Sequence, residues 1–179
     1  VPAARLLDCL KAACGAGDVA SLLVLAAVAG EITPAAQQLG VAVIVAGEPR
    51  DAARCGADGI QLDAGSEDLA AARQALGKER ILGVFAGSSR HLAMEAAEAG
   101  ADYIAFDQTG PTLGGEPIVA WWQALTEVPC VAFTPAGPDE LDTLLPQRPD
   151  FIRPPDAMWQ SAEDARRMVA ALSQRLGSS

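Results

Sequence analysis

Two copies of one tripeptide constrain this chain more than any other feature. Gly56-Ala57-Asp58 and Gly100-Ala101-Asp102 stand 44 residues apart, and each leads into a short apolar run, Gly59-Ile60-Gln61-Leu62 and Tyr103-Ile104-Ala105-Phe106. A third run, Ile81-Leu82-Gly83-Val84-Phe85, falls about midway, and a helical pattern fills each gap. The result is β-α-β-α-β at about 22 residues per step, close to the shortest spacing that permits a parallel crossover. The Gly suits the left-handed position that ends a helix, and Ala-Asp leads into the strand. An internal repeat of this kind predicts a parallel α/β protein built from serial units.

Composition narrows this further. At 179 residues the chain is read as one domain, spanning 1–179. Half of it is hydrophobic and only 4% aromatic, so the core must be made of Ala, Val, Leu and Ile, as in buried parallel sheets. The net charge of −10, with Lys11 and Lys78 the only lysines, argues against nucleic acid or an anionic membrane surface as partner. The arginines can still form a local anion pocket. Cys9, Cys14, Cys55 and Cys130 show no CxxC spacing, and His91 alone cannot complete a zinc set. Four reduced thiols fit a cytoplasmic protein, and no leader pattern is read. The longest apolar run, around Ala20 to Gly30, is too short to span a bilayer.

In chain order the patterns predict a helix over Pro2–Ala16, a strand at Ser21–Leu25, a short helix over Pro34–Leu39, a strand at Val41–Ala46 and a helix over Pro49–Cys55. The repeat region supplies strands at Gly59–Asp63, Ile81–Phe85 and Tyr103–Asp107, with helices between them. After a Gly- and Pro-rich loop from Thr109 to Pro117 come a helix faced by Ile118, Trp122 and Leu125, a strand at Cys130–Phe133 and a helix over Pro138–Leu145. A short strand at Phe151–Arg153 precedes a helix over Ser161–Leu176 that opens on a Ser161/Asp164 capping pair. The count is seven strands and eight helices, beginning with a helix. The expected fold is a TIM (β/α)8-type barrel, lacking or not showing its first strand, with an open doubly wound sheet as the alternative. An incomplete barrel leaves an apolar strand edge, so a homodimer is expected as well.

The motifs in order, GADGIQL, EDLAAARQALG, ILGV and EAAEAGADYIAF, resemble the thiamine phosphate synthase family, which includes the thiazole tautomerase relatives. The resemblance extends from about Val41 to Ala170. It implies a TIM barrel and a transferase that joins hydroxymethylpyrimidine diphosphate to thiazole phosphate, releasing pyrophosphate with the help of Mg²⁺. It also implies a role for Asp68 as metal ligand and for Thr112, in Thr109-Gly110-Pro111-Thr112, as ligand-binding residue. Other family positions are replaced. Ala46 and Gly47 stand for the metal-binding Asn-Asp, Leu25-Ala26-Ala27-Val28 for a polar run, and Phe85 for Ser. Gly115 stands for Lys, Thr134-Pro135 for a Gly-Gly phosphate turn, and Pro154 for Ser.

From the residues themselves, Asp63, Asp107 and Gln108 stand at strand C-termini, the functional end of a barrel. Asp63 and Asp107 are candidate acid–base or amine-binding carboxylates, or solvated loop acids. Arg153 ends the last strand and is a candidate phosphate-binding cation, or a partner for Asp150 or Asp156. Asp68 is a Mg²⁺ ligand or an acid in the first turn of a helix. Three functions follow: a working synthase with a rebuilt site, an enzyme of other chemistry on the same face, and a non-catalytic member that binds a small phosphorylated or heterocyclic ligand or a partner protein.

Overall fold

The structure is a computed structural model, and it describes residues 1–65, 68–107 and 115–177. Seven strands run β1 (Ser21–Leu25), β2 (Ala42–Ala46), β3 (Gly59–Asp63), β4 (Ile81–Gly87), β5 (Tyr103–Asp107), β6 (Cys130–Phe133) and β7 (Phe151–Arg153). All pair in parallel, in the order of the sequence. Each strand alternates. Outward residues such as Val43, Ile60, Val84, Ile104 and Ala132 pack with the surrounding helices into one apolar core. Inward residues of both edge strands, Leu23 of β1 and Arg153 of β7, line one cavity, so the sheet is curled. Among the described residues β1 and β7 do not pair with each other. The architecture is therefore TIM-like with seven strands, and it excludes the doubly wound alternative, because the strand order never reverses.

The helices are α1 (Ala3–Cys14), α2 (Ala26–Gln38), α3 (Pro49–Cys55), α4 (Leu69–Leu76), α5 (Arg90–Glu98), α6 (Ile118–Leu125), α7 (Leu141–Leu144) and α8 (Ala162–Gly177). Two departures from the sequence patterns have physical reasons. The short helix expected over Pro34–Leu39 is the second half of α2, which starts directly after β1 and carries Pro34 inside it. Pro34 has no N–H to give the carbonyl one turn back, and the neighbouring Thr33 hydroxyl donates to the Ala29 carbonyl at 2.7 Å. The helix expected over Pro138–Leu145 is α-helical only at α7, with 3₁₀ turns at Pro138–Glu140 and Leu145–Gln147. The capping pair of α8 is present: Asp164 N–H donates to Ser161 Oγ at 3.1 Å and Ser161 Oγ donates to Asp164 Oδ2 at 2.6 Å.

The repeat motif has a mechanical meaning. Asp58 Oδ2 accepts the Val43 N–H at 2.7 Å, and Asp102 Oδ2 accepts the Leu82 N–H at 2.8 Å. Each Asp thus takes the second amide of the preceding strand, and a side chain of the helix before that strand holds the same oxygen: Gln37 Nε2 at 3.1 Å and Arg73 Nη1 at 2.7 Å. A third staple is present at Asp150, which accepts from Cys130 N–H at 2.8 Å and from Gln123 Nε2 at 2.7 Å. Its motif is Arg148-Pro149-Asp150, and Arg148 takes the left-handed φ of 61° where the other copies have Gly56 at 67° and Gly100 at 90°. The unit that repeats is a pair of βα steps.

Candidate functional site

The inward residues at the strand exits follow from the two-residue alternation. β3 ends on Asp63 and β5 on Asp107, each two residues beyond an inward position, and β7 ends on Arg153. The structure therefore brings Asp63, Asp107 and Arg153 to one mouth at the C-terminal end of the sheet. The register adds two residues that sequence reasoning missed: Phe85 stands directly opposite Asp63, and Phe133 lies between Asp107 and Arg153. The signal was present in the sequence, since Phe85 and Phe133 also fall on inward alternation positions. The family resemblance marks Phe85 only as a replacement for Ser.

Arg153 is well occupied. Its guanidinium lies over the Phe133 ring, 4.6 Å from the centroid, and its Nη2 donates to Asp156 Oδ1 at 3.0 Å. Asp156, not Asp150, is its ion partner. Asp63 and Asp107 each have an interaction of their own. Gln108 and Thr112 lie outside the described residues.

Asp68 is the N-cap of α4, where its Oδ1 accepts the Ala71 N–H at 3.1 Å. This favours the helix-start reading over the metal reading. Among the described residues no three His, Cys, Asp or Glu side chains gather as a metal set, and the β2 exit offers only Ala46 and Gly47. A hard divalent cation needs several oxygen ligands, so this donor set does not fit Mg²⁺.

The exits of β6 and β7 are equally closed to a phosphate. Both the N–H and the hydroxyl of Thr134 donate to the Arg153 carbonyl, at 2.9 and 3.0 Å. Pro135 has no N–H, Ala136 N–H donates to Glu140 Oε2 at 3.1 Å, and Gly137 N–H donates to the Thr134 carbonyl at 3.0 Å. Pro154 and Pro155 follow β7. The first turn of α8 carries Glu163 and Asp164, which oppose an anion there.

A cavity of about 940 Å³ lies away from this mouth. It occupies the interior of the curled sheet and the opening between β1 and β7, and of the mouth residues only Arg153 lines it. Within it the Tyr103 hydroxyl donates to Gln61 Oε1 at 2.9 Å, passing over Gly83, where a Cβ would run into the ring. Burial pushes the Tyr103 hydroxyl well above the ordinary tyrosine range, and the Arg153 guanidinium pulls it partly back. His91 is exposed and lies 3.4 Å from Glu95, while Trp122 is fully buried and Trp121 lies under Arg90 at 4.8 Å. No helix among the described residues is long and apolar enough to cross a membrane.

Comparison with known proteins bears on this arrangement. A family model described as thiamine monophosphate synthase matches residues 20–152. The thiamine-phosphate synthase of Erythrobacter litoralis is 34% identical over 186 positions, which take in 97% of this chain and 75% of the relative. That of Rhodospirillum centenum is 36% identical over 167 positions, 84% of this chain and 80% of the relative. In structure, the thiamine phosphate pyrophosphorylase of Pyrococcus furiosus superposes with a TM-score of 0.80 at 19% identity, covering 98% of this chain and 92% of that one. The phosphoribosyl anthranilate isomerase of Thermus thermophilus superposes with 0.69 at 21% identity, covering 96% and 94%, which shows a shared fold alone.

Proposed function

The chain belongs to the thiamine monophosphate synthase family and is a protein of thiamine biosynthesis, and from that premise we propose that it serves as a member that binds a small ligand without displacing pyrophosphate. The observation that carries this reading is the spent set of donors at the β6 and β7 exits. The resemblance puts the phosphate of the thiazole substrate at these exits, where it needs uncommitted N–H groups, and the donors at Thr134, Ala136 and Gly137 are each committed inside the protein. The prolines at 135, 154 and 155 contribute none. Asp63 and Asp107 are then ligand-binding carboxylates, and Arg153 shapes the mouth through Phe133 and Asp156. No step is assigned to Mg²⁺. Four free cysteines favour the cytoplasm as its compartment.

Calorimetric titration with magnesium pyrophosphate tests the reading. The expected result is no saturable binding at up to millimolar ligand. Micromolar binding would mean that the mouth holds the leaving group after all.

A further inference from the structure

Two edges of the sheet face one opening. Among the described residues β1 pairs only with β2, and β7 only with β6. The N–H and C=O of one strand residue point to the same side, and successive residues alternate. Ala42 N–H donates to the Ala20 carbonyl at 3.1 Å, so Leu22 and Val24 turn to β2, and Ser21, Leu23 and Leu25 turn to the opening. Thr134 N–H donates to the Arg153 carbonyl at 2.9 Å, so Phe151 and Arg153 turn to β6, and Ile152 turns to the opening. Both walls therefore present backbone donors and acceptors.

The cavity of about 940 Å³ runs along these walls, because it is lined by Ser21, Leu22 and Leu23 on one side and by Phe151–Arg153 on the other. Consecutive strand residues face opposite sides of a sheet, so the cavity has an inner and an outer layer. The inner layer is formed by Ile44, Tyr103 and Val131, the outer by Ala13 of α1 and by Val169 and Leu172 of α8. Phe151 and Leu176 line it and are 45% and 47% exposed. Apolar layers above and below, between hydrogen-bonding walls, suit a single β-strand.

We propose that the slot between β1 and β7 docks an extended apolar segment of a partner chain, as a strand parallel to both. This goes beyond the reading of the mouth and stands whichever ligand the mouth takes. Charge sets the direction. Asp18, Asp102 and Asp150 line the foot, ahead of the strands, and Arg153 lies at the other end. A segment that is basic at its amino-terminal end enters in the parallel sense. A second copy fits less well. Its own β1 or β7 has one free edge, so it closes one wall and not both. It also brings helices, where α1 and α8 already pack so closely that a Cβ at Gly17 would run into Ser173.

The test is fluorescence anisotropy of the folded chain with a labelled peptide, Lys-Lys-Val-Ile-Val-Thr-Val. Saturable binding is expected, with amide exchange slowed at Leu23 and Ile152. Proline in place of the central valine, or Glu-Glu in place of Lys-Lys, should each weaken binding at least about tenfold. Ser21→Pro removes one slot-facing N–H at the first residue of β1, a place that tolerates proline, and should weaken binding about fivefold. Leu23→Glu puts a carboxylate in the inner layer and should abolish binding. Far-ultraviolet circular dichroism shows that each variant is folded, and Ser21→Pro keeps the test open if Leu23→Glu is not. No saturable binding, equal binding of the proline peptide, or unchanged exchange at β1 and β7 would each overturn the proposal. A chain that sediments as a dimer with those amides already protected would overturn it in favour of a second copy.

Discussion

At the scale of single residues, the aspartate of Gly-Ala-Asp is a backbone acceptor rather than a surface charge. Asp58, Asp102 and Asp150 each take an amide at the first or second residue of a neighbouring strand, at the foot of the sheet. Two copies were legible in the sequence because Gly56 and Gly100 mark the left-handed turn. The third was not, because Arg148 and Pro149 stand where Gly and Ala do elsewhere. A non-glycine residue at a φ of 61° strains its own backbone by about 1 kcal/mol. Arg148→Gly is therefore expected to raise unfolding free energy by about 1 kcal/mol, partly offset by the greater freedom of glycine in the unfolded chain. Urea denaturation checks this, and a loss of stability would mean that Arg148 contributes more than a turn.

Among secondary elements, every strand was legible from its apolar run, and most helices from their faces and caps. The exceptions follow from local chemistry. Pro34 reads as a helix start, yet α2 runs through it, because Ile32 and Ala36 on either side are fully buried and tertiary packing overrides the proline. The region of Pro138–Leu145 was read as one helix, but Pro138 and Pro146 confine α7 to four residues. Each staple also joins elements: Asp102 ties β5 to β4 and, through Arg73, to α4. Asp102→Ala leaves the Leu82 amide, in the fully buried part of β4, without its charged acceptor. The expected cost is about 2 kcal/mol, read as a lower denaturation midpoint with an unchanged slope. An unchanged midpoint would reduce the staple to a surface contact.

For the molecule as a whole, the serial repeat foretold a parallel, TIM-like sheet, and the seven strands in sequence order agree with it. The site was legible only in part. Alternation placed Asp63, Asp107 and Arg153 at one mouth, but the commitments of Thr134, Ala136 and Gly137 are backbone hydrogen bonds, invisible in residue identities. Those bonds are the ground on which we propose that family membership parts from the family reaction: the fold supplies the scaffold, and the N–H groups a phosphate would need at the β6 and β7 exits are already used. The most direct test is turnover. The folded chain is incubated with hydroxymethylpyrimidine diphosphate, thiazole phosphate and Mg²⁺ beside the Rhodospirillum centenum thiamine-phosphate synthase, and pyrophosphate release is followed. The account predicts a rate at least about 10³-fold below a working synthase, since the loss of even one such donor costs 10²- to 10³-fold. A rate comparable to that of the relative would contradict it and would mean that the exits of β6 and β7 rearrange to cradle the substrate phosphate.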